Sequence, residues 1–267
     1  MKGKTKFLEK FINSIYNIKE FSKYVTEGLG KAILYVFLMS LIFGSLKGIS
    51  IGYEINRQAN DINKKLQNEE NEFIIENGIL NTNNSPLKFE ENSSLIYIDS
   101  STSLDKANEL RSLTVNNDIN VLFLKDGVSL KTPFENKVVY YKEAFGNNKI
   151  DNNVVISQMS IITKILIGIS FIYAVGMCFI NVLINCIFVT IFAGLALIFM
   201  KLTIKYKVLY SLSLYACTLP LIFKTILEII FSNIYLDTMF IVGTLVYVIF
   251  ILRYIKFEII SKIKSSK

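Results

Sequence analysis

The side chains best suited to chemistry in this sequence lie inside its apolar C-terminal half. Lys224 and Glu228 are one helical turn apart, and opposite charges at that spacing can pair. Asn181 and Asn185 are also four residues apart, so both would lie on one face of a helix. Pro220 would remove a backbone hydrogen bond and kink its helix. These five residues form the candidate polar site. They are interpreted first as groups that hold helices together, and second as the lining of a substrate pathway.

The composition excludes most catalytic chemistry. The 267 residues include no His, which excludes histidine general bases, Ser–His and Cys–His pairs and His-bearing zinc sites. The three cysteines, Cys178, Cys186 and Cys217, all lie in apolar segments, where cysteine behaves as a small hydrophobic residue. We therefore expect a protein that is not an enzyme and that holds no cofactor and no metal.

Three aspartates of the polar segment are the candidates for metal ligands. Asp99, Asp105 and Asp126 do not fit the Asp-x-Asp-x-Asp-Gly spacing of a calcium loop. Turn and helix-cap chemistry explains Asp99 and Asp126 better, because short acidic side chains accept backbone hydrogen bonds at turns.

The formal charge of +7 is unevenly distributed along the chain. The segment 53–160 is net acidic, and the basic excess lies beside the apolar segments. This pattern is typical of the cytoplasmic flanks of membrane spans and not of a nucleic-acid surface. The expected partners are therefore the lipid bilayer and another membrane or envelope protein, with no nucleic acid.

Two apolar regions determine the predicted architecture. A membrane span needs roughly 20 apolar residues to cross about 30 Å of hydrocarbon. Residues 31–53 satisfy this once, and residues 161–255 form a long apolar block that ends in a basic tail at 256–267. The sequence predicts an all-α polytopic membrane bundle of four or five transmembrane helices. A small α/β extracytoplasmic domain, residues 54–160, is inserted after the first span.

Residues 1–30 are predicted to form a cytoplasmic, amphipathic, basic helix, with an apolar stripe from Phe7 to Val25. Such a helix could lie in the lipid interface or pack on the protein's own bundle, and periodicity does not separate the two. The lysines that precede the first span place the N-terminus in the cytoplasm by the positive-inside rule. No Ala-x-Ala-like site follows the span, which favours a retained anchor over a cleaved signal peptide.

The number of spans depends on residues 161–200. Their length favours two spans, with breaks at Gly168 and Gly176, and hence five spans in all with the C-terminus outside. The charges favour one full span, because Lys201, Lys205 and Lys207 and the basic tail then lie inside. We favour four full spans, with Ile161–Val175 half-inserted or packed beneath the outer domain.

The polar segment contains short stretches typical of strands and turns. A helix is predicted over Glu54–Glu72 and a short helix over Leu104–Leu113. The predicted strands are Phe73–Leu80 with a turn, Ser94–Asp99, a hairpin of Ile119–Leu124 and Val128–Lys131 around Gly127, and Lys137–Glu143.

Several runs resemble those of a bacterial family called domain of unknown function 1189. The runs are Phe11-Ile-Asn-Ser-Ile-Tyr16, Gly30-Lys-Ala-Ile-Leu-Tyr-Val-Phe37, Leu95-Ile-Tyr-Ile-Asp99, Val121-Leu-Phe-Leu-Lys-Asp-Gly127 and the segment from Lys205 to Pro220. The Tyr-Ala-x-x-Leu-Pro element of the last segment is also similar to the wider Yip1-like membrane proteins. The resemblance implies a bacterial cell membrane location and this architecture. It implies no reaction, because the family has no established activity.

Three functions are compatible with these features. A non-enzymatic scaffold that docks a partner is favoured, because the polar domain is sizeable and the spans carry few charges. The first alternative is a transporter or accessory permease subunit with a site near the Pro220 kink. The second alternative is an envelope sensor that acts through the outer domain.

Overall fold

The computed structural model describes residues 7–24, 26–91, 94–113, 117–231 and 235–265. The chain divides into two compact units. The helical unit comprises Met1–Glu54 and Leu166–Lys267, and the sheet unit comprises Ile55–Ile165. The helices are α1 (Phe7–Tyr16), α2 (Phe21–Tyr24), α3 (Leu29–Leu66), α4 (Tyr141–Phe145), α5 (Asn152–Met200), α6 (Tyr206–Ala216), α7 (Thr218–Ile230) and α8 (Asp237–Ser265), with 3-10 segments at Ile18–Glu20, Glu69–Asn71 and Leu104–Leu113.

Three of the described helices, α3, α5 and α8, are long and apolar enough to cross a membrane by length and composition. The pair α6 and α7, which is bent by 44° at its break, would add a fourth span if it counts as one. A helix needs about 20 such residues to span the hydrocarbon. These helices are compatible with a membrane protein.

The helix α5 corrects the prediction for residues 161–200. It runs unbroken for 49 residues, through both Gly168 and Gly176. The expected breaks, the separate segment Ile161–Val175 and the alternative of two spans here are therefore wrong. A lone glycine in a helix costs only about 1 kcal/mol relative to alanine, which the surrounding apolar residues readily override.

The helix α3 is also longer than predicted. The first span and the charged helix expected after it form one element of 38 residues that ends at Leu66. Both segments favour helix, and the residues between them contain no proline, so nothing in the sequence ends the helix near Tyr53.

Three glycines on α3 bring it close to α5. A Cβ atom at Gly44 would lie 2.6 Å from the Cα atom of Val175, and one at Gly48 would lie 3.0 Å from the Phe171 ring. A Cβ atom at Gly52 would lie 3.1 Å from Ile167. Small residues four apart let two helix backbones approach closely. This spacing is visible in the sequence, but its role was not predicted.

The N-terminal helix α1 packs on the chain's own helices. The Phe7 ring lies 5.6 Å from the Tyr35 ring, and the Phe11 ring lies 6.2 Å from that of Phe43. The Tyr247 hydroxyl donates a hydrogen bond of 3.2 Å to the Ile15 carbonyl. Of the two placements left open by the periodicity, the structure therefore has the one in which the helix packs on its own bundle.

The described residues of the sheet unit form two β-sheets. Their strands are β1 (Phe73–Glu76), β2 (Ile79–Thr82), β3 (Leu87–Glu91), β4 (Ser94–Asp99), β5 (Ile119–Leu124), β6 (Gly127–Lys131), β7 (Asn136–Tyr140) and β8 (Ile150–Asp151). The smaller sheet has the strand order β2-β1-β8, and the larger has the order β3-β4-β5-β6-β7. The pair β4–β5 is parallel, and the other paired strands are antiparallel.

The hydrophobic core of the sheet unit lies on both faces of the larger sheet. On one face Leu95, Leu122 and Leu124 pack against Leu104 of the 3-10 segment. On the other face the cluster around Ile75, Leu80 and Tyr141 receives half-buried side chains of the larger sheet, which are Ile98, Phe123 and Val128. Alternation along the strands explains this division, because neighbouring residues point to opposite faces.

Most of the predicted strands are found, with different ends. The hairpin of β5 and β6 is confirmed, and a Cβ atom at Gly127 would lie 2.6 Å from both a Leu104 methyl carbon and the Val139 carbonyl oxygen. The strand predicted to end at Glu143 ends at Tyr140, because α4 begins at Tyr141. The short helix expected at Leu104–Leu113 is a 3-10 helix. Strands β2, β3 and β8 were not predicted as separate strands.

Candidate functional site

Lys224 on α7 lies between two carboxylates. It pairs with the Oδ1 atom of Asp237, the first residue of α8, and its Nζ atom lies 3.7 Å from the Oε1 atom of Glu228. The same ammonium lies 5.5 Å from the centroid of the Phe240 ring. The Lys224 side chain is only 11% exposed, so its charge depends on these partners and little on solvent.

Two further residues extend this arrangement to two more helices. The Nζ atom of Lys47 on α3 lies 2.9 Å from the Oε2 atom of Glu228. The amide nitrogen of Asn185 on α5 donates a hydrogen bond of 3.2 Å to the Oδ1 atom of Asp237. We call Lys47, Asn185, Lys224, Glu228 and Asp237 the charged network. It joins four helices, and its two cations balance its two anions.

The structure brings together part of the predicted polar site. Lys224 lies near Glu228, and Asn185 joins them through Asp237, whereas Asn181 is half-buried and makes no hydrogen bond to the network among the described residues. The sequence alone indicates only a flanking anchor at Lys47 and a flanking charge at Asp237, so their part in the network was missed. Each had a signal in the sequence, because a charge next to an apolar span needs a partner.

Pro220 lies close to a bend, as predicted. It is the third residue of α7, and the helix breaks before it, between Ala216 and Thr218. The position of the break follows from proline geometry. The proline ring clashes with the carbonyl four residues earlier, which is that of Ala216, the last residue of α6.

Hydroxyl groups satisfy the backbone next to this bend. The Thr218 hydroxyl donates a hydrogen bond of 2.7 Å to the Tyr215 carbonyl. Because that hydroxyl has a single proton, the Tyr35 hydroxyl must be the donor in the 2.7 Å bond between the two side chains. The bend is thus tied to α3 through the Tyr35 side chain.

A second ion pair lies in the N-terminal part of the helical unit. Lys10 on α1 pairs with Glu27, which precedes α3, and both side chains are largely buried. The Lys10 ammonium lies 5.8 Å and 5.7 Å from the ring centroids of Tyr24 and Tyr215. The Tyr215 hydroxyl also donates a hydrogen bond of 3.3 Å to Glu27. The cation thus gains from both aromatic faces as well as from the carboxylate.

An apolar groove runs between α7 and α8 beside the charged network. Its volume is about 410 Å³, within the usual range for small-molecule pockets. Its lining includes Pro220, Phe223, Phe240 and Gly243, with Lys224 as its charged residue. Since Lys224 is already paired with two carboxylates, the groove offers an apolar surface and no free charge.

Two of the three candidate aspartates, Asp99 and Asp126, act in turns and caps, whereas Asp105 accepts a hydrogen bond of 3.1 Å from the Tyr140 hydroxyl. Burial alone would raise the pKa of Asp99, but hydrogen bonds from Ser101, Thr102 and Ser85 lower the pKa to about 2. Asp126 accepts a bond of 2.7 Å from the Leu104 backbone N–H and one of 3.0 Å from the Ser103 hydroxyl. Within the described residues there is no cluster of three or more His, Cys, Asp or Glu side chains that could hold a metal ion.

The fold and the site define a class of protein. Most of the chain is helical, its three long apolar helices are compatible with a membrane protein, and a small sheet region accompanies them. The chain belongs to the family described as "Protein of unknown function (DUF1189)", whose family model matches residues 8–252. The resemblance to this family is therefore confirmed. No curated protein and no solved structure matches the chain.

Proposed function

We propose that this chain is an integral protein of the bacterial cell membrane that acts without catalysis, as a scaffold that docks another membrane or envelope protein. The observation that carries the proposal is the charged network. Its two cations and two anions are paired with one another across three helices, and the Asn185 amide joins a fourth.

A paired network favours a fixed bundle over a transport pathway. A transporter presents polar groups to its substrate near the middle of the membrane. Here Lys224, Glu228 and Asp237 are engaged with one another. Removing one partner of a buried pair is costly, because the remaining charge stays buried. The network therefore holds the helices in one arrangement.

The charge distribution supports the proposed topology, with the N-terminus in the cytoplasm and residues 54–160 outside. Basic residues lie at the start of α3, at the junction of α5 and α6 and at the end of α8, where the positive-inside rule expects cytoplasmic ends. They include Lys31, Lys201, Lys205, Lys207, Lys262 and Lys264. The likeness to Yip1-like proteins rests on the Tyr215–Pro220 element alone and stays a prediction.

The scaffold proposal is tested by removing the outer unit with protease before the chain is extracted from the membrane. Protease added to intact spheroplasts would remove the sheet unit, and the remaining chain would then be purified in mild detergent beside an untreated sample. We expect the untreated chain to bring down one protein at near one-to-one ratio and the shaved chain to lose it. Failure to recover any stoichiometric partner, or its retention after shaving, contradicts the proposal.

The transporter alternative is favoured by one observation, the groove of about 410 Å³ that includes Pro220 and Lys224. Proteoliposomes would be tested for uptake of a panel of labelled amino acids, sugars and inorganic ions. Uptake that is unchanged in a folded Lys224→Ala, Glu228→Ala double variant would end this alternative. Uptake of one solute that is lost in the variant would replace the scaffold proposal. The sensor alternative stays a prediction.

A further inference from the structure

The hairpin that joins β6 and β7 ends in an exposed aromatic residue. Residues 132–135, Thr-Pro-Phe-Glu, form this hairpin tip, and Phe134 is 98% exposed. A single exposed apolar residue is ordinary on a protein surface. Phe134 differs because hydrogen bonds within the tip support the backbone that carries it.

Thr132 organises the hairpin tip. Its backbone N–H donates a bond of 2.8 Å to the Glu135 carbonyl, and its hydroxyl donates one of 3.1 Å to the same oxygen. The hydroxyl oxygen accepts the N–H groups of Glu135 at 3.0 Å and of Phe134 at 3.4 Å. The tip therefore presents Phe134 in a preorganised form.

These bonds also lower the cost of removing the tip from water. Pro133 has no backbone N–H, and every other N–H group of the tip is bonded within the tip itself. A backbone N–H without a partner costs free energy in an apolar medium. The hairpin tip therefore has no backbone N–H group that would lack a hydrogen-bond partner in an apolar medium.

The residues next to the tip carry apolar and basic side chains on both faces of the hairpin. Leu130 is opposite Lys137 on one face, and Val138 shares the other face with Lys131, because side chains alternate along each strand. All four are exposed. A protein partner would contact one face of the hairpin in a groove, whereas a lipid surface approached by the tip would contact the side chains of both faces.

We infer that the hairpin tip is a lipid-insertion loop, with Phe134 in the apolar boundary of the bilayer and Lys131 and Lys137 at the level of anionic headgroups. Membrane-surface segments combine apolar side chains with lysines in this way. The inference rests on the proposed membrane integration, because spans in the same chain raise the effective concentration of the bilayer at the tip. Glu135 is the one acidic side chain of the tip and opposes insertion.

The absence of tryptophan from the chain allows a direct test. The Phe134→Trp variant of the full chain would carry a single tryptophan, and it would be reconstituted in nanodiscs of phosphatidylglycerol and phosphatidylcholine whose scaffold protein contains no tryptophan. Excitation where tyrosine does not absorb then reports this position alone. We expect blue-shifted emission that brominated acyl chains quench and that aqueous iodide does not. We expect less quenching without phosphatidylglycerol, and more in a Glu135→Gln background.

Phe145→Trp is the matched control, because Phe145 lies beyond the opposite end of β7 in the same unit. Its emission is expected to be insensitive to brominated lipid. In the Phe134→Trp variant, quenching by iodide overturns the inference. Blue-shifted emission that bromine does not quench overturns it as well, since that result means a protein contact.

A further measurement separates two negative results: that the tip does not insert into lipid, and that the chain is not integrated in the membrane at all. If alkaline carbonate releases the chain from the membrane, the proposed membrane integration fails together with the loop. A carbonate-resistant Phe134→Trp variant whose tryptophan is accessible to iodide overturns the loop alone.

Discussion

The Nζ atom of Lys47 lies 2.9 Å from the Oε2 atom of Glu228, although 181 residues separate them in the chain. This ion pair joins α3 to α7 beside the pair that joins α7 to α8. The two ends of the pair are unequal, because the Glu228 side chain is 12% exposed and that of Lys47 is 48% exposed.

That inequality predicts different costs for the two truncations. Glu228→Ala leaves Lys224 with one fewer partner at a buried position, and we expect a loss of about 3 kcal/mol of stability. Lys47→Ala removes a half-exposed partner and is expected to cost less than about 1 kcal/mol. Thermal unfolding in detergent can be followed with a thiol-reactive dye, since Cys186 and Cys217 are buried until the bundle opens. Equal losses of stability in the two variants would contradict the expectation that the buried side chain contributes more than the half-exposed one.

The buried pair of Lys10 and Glu27 predicts a non-additive double variant. Lys10→Glu places two carboxylates together and should lower the unfolding temperature strongly. Adding Glu27→Lys restores opposite charges, but it moves the cation away from the rings of Tyr24 and Tyr215, so recovery should be partial. A double-mutant cycle in the same thiol assay measures the coupling. Simple additivity of the two losses would mean that these side chains do not interact.

The close contact of α3 and α5 predicts opposite effects for two identical substitutions. Gly44→Ala places a Cβ atom 2.6 Å from the Val175 backbone, so the helices must separate and stability should fall. At Gly168 an added Cβ atom meets nothing within 4 Å, and Gly168→Ala should raise stability by up to about 1 kcal/mol through helix propensity. Unfolding temperatures of the two purified variants provide the comparison. A tolerated Gly44→Ala would show that the helices do not approach this closely.

The lowered pKa of Asp99 predicts acid sensitivity in the sheet unit. Because the folded pKa, about 2, lies below the ordinary value of 3.8, the ionised carboxylate stabilises the folded state above about pH 4. This contribution is lost as the pH falls from about 4 towards 2. Pepsin is active in this window, so the rate at which it cleaves the sheet unit should rise more steeply in the wild type than in Asp99→Asn. Parallel pH profiles would exclude this role for Asp99.

The strands of the sheet unit show which elements the local sequence pattern can predict. Ile119–Leu124 and Gly127–Lys131 were predictable as a hairpin, because alternating apolar residues surround a glycine turn. Strand β3 was missed, since Leu87–Glu91 contains two apolar residues among charged ones and is held by its pairing with β4. No local pattern within Leu87–Glu91 specifies that pairing.

The candidate polar site was likewise only partly predictable from the sequence. The spacing of Lys224 and Glu228 predicted their proximity, because both lie on one helix. Asp237 and Lys47 lie on other helices, and nothing local indicates which charge each of them will meet.

The sequence by itself determined the apolar helices, the absence of histidine chemistry, the bend near Pro220 and the family, because these depend on composition and on neighbours along the chain. Only the tertiary structure decided that α5 is unbroken, that α1 packs on its own bundle and that five side chains from four helices form one network. Those outcomes depend on contacts between distant segments, and the free energy of such contacts exceeds the small local preference of any single glycine or lysine.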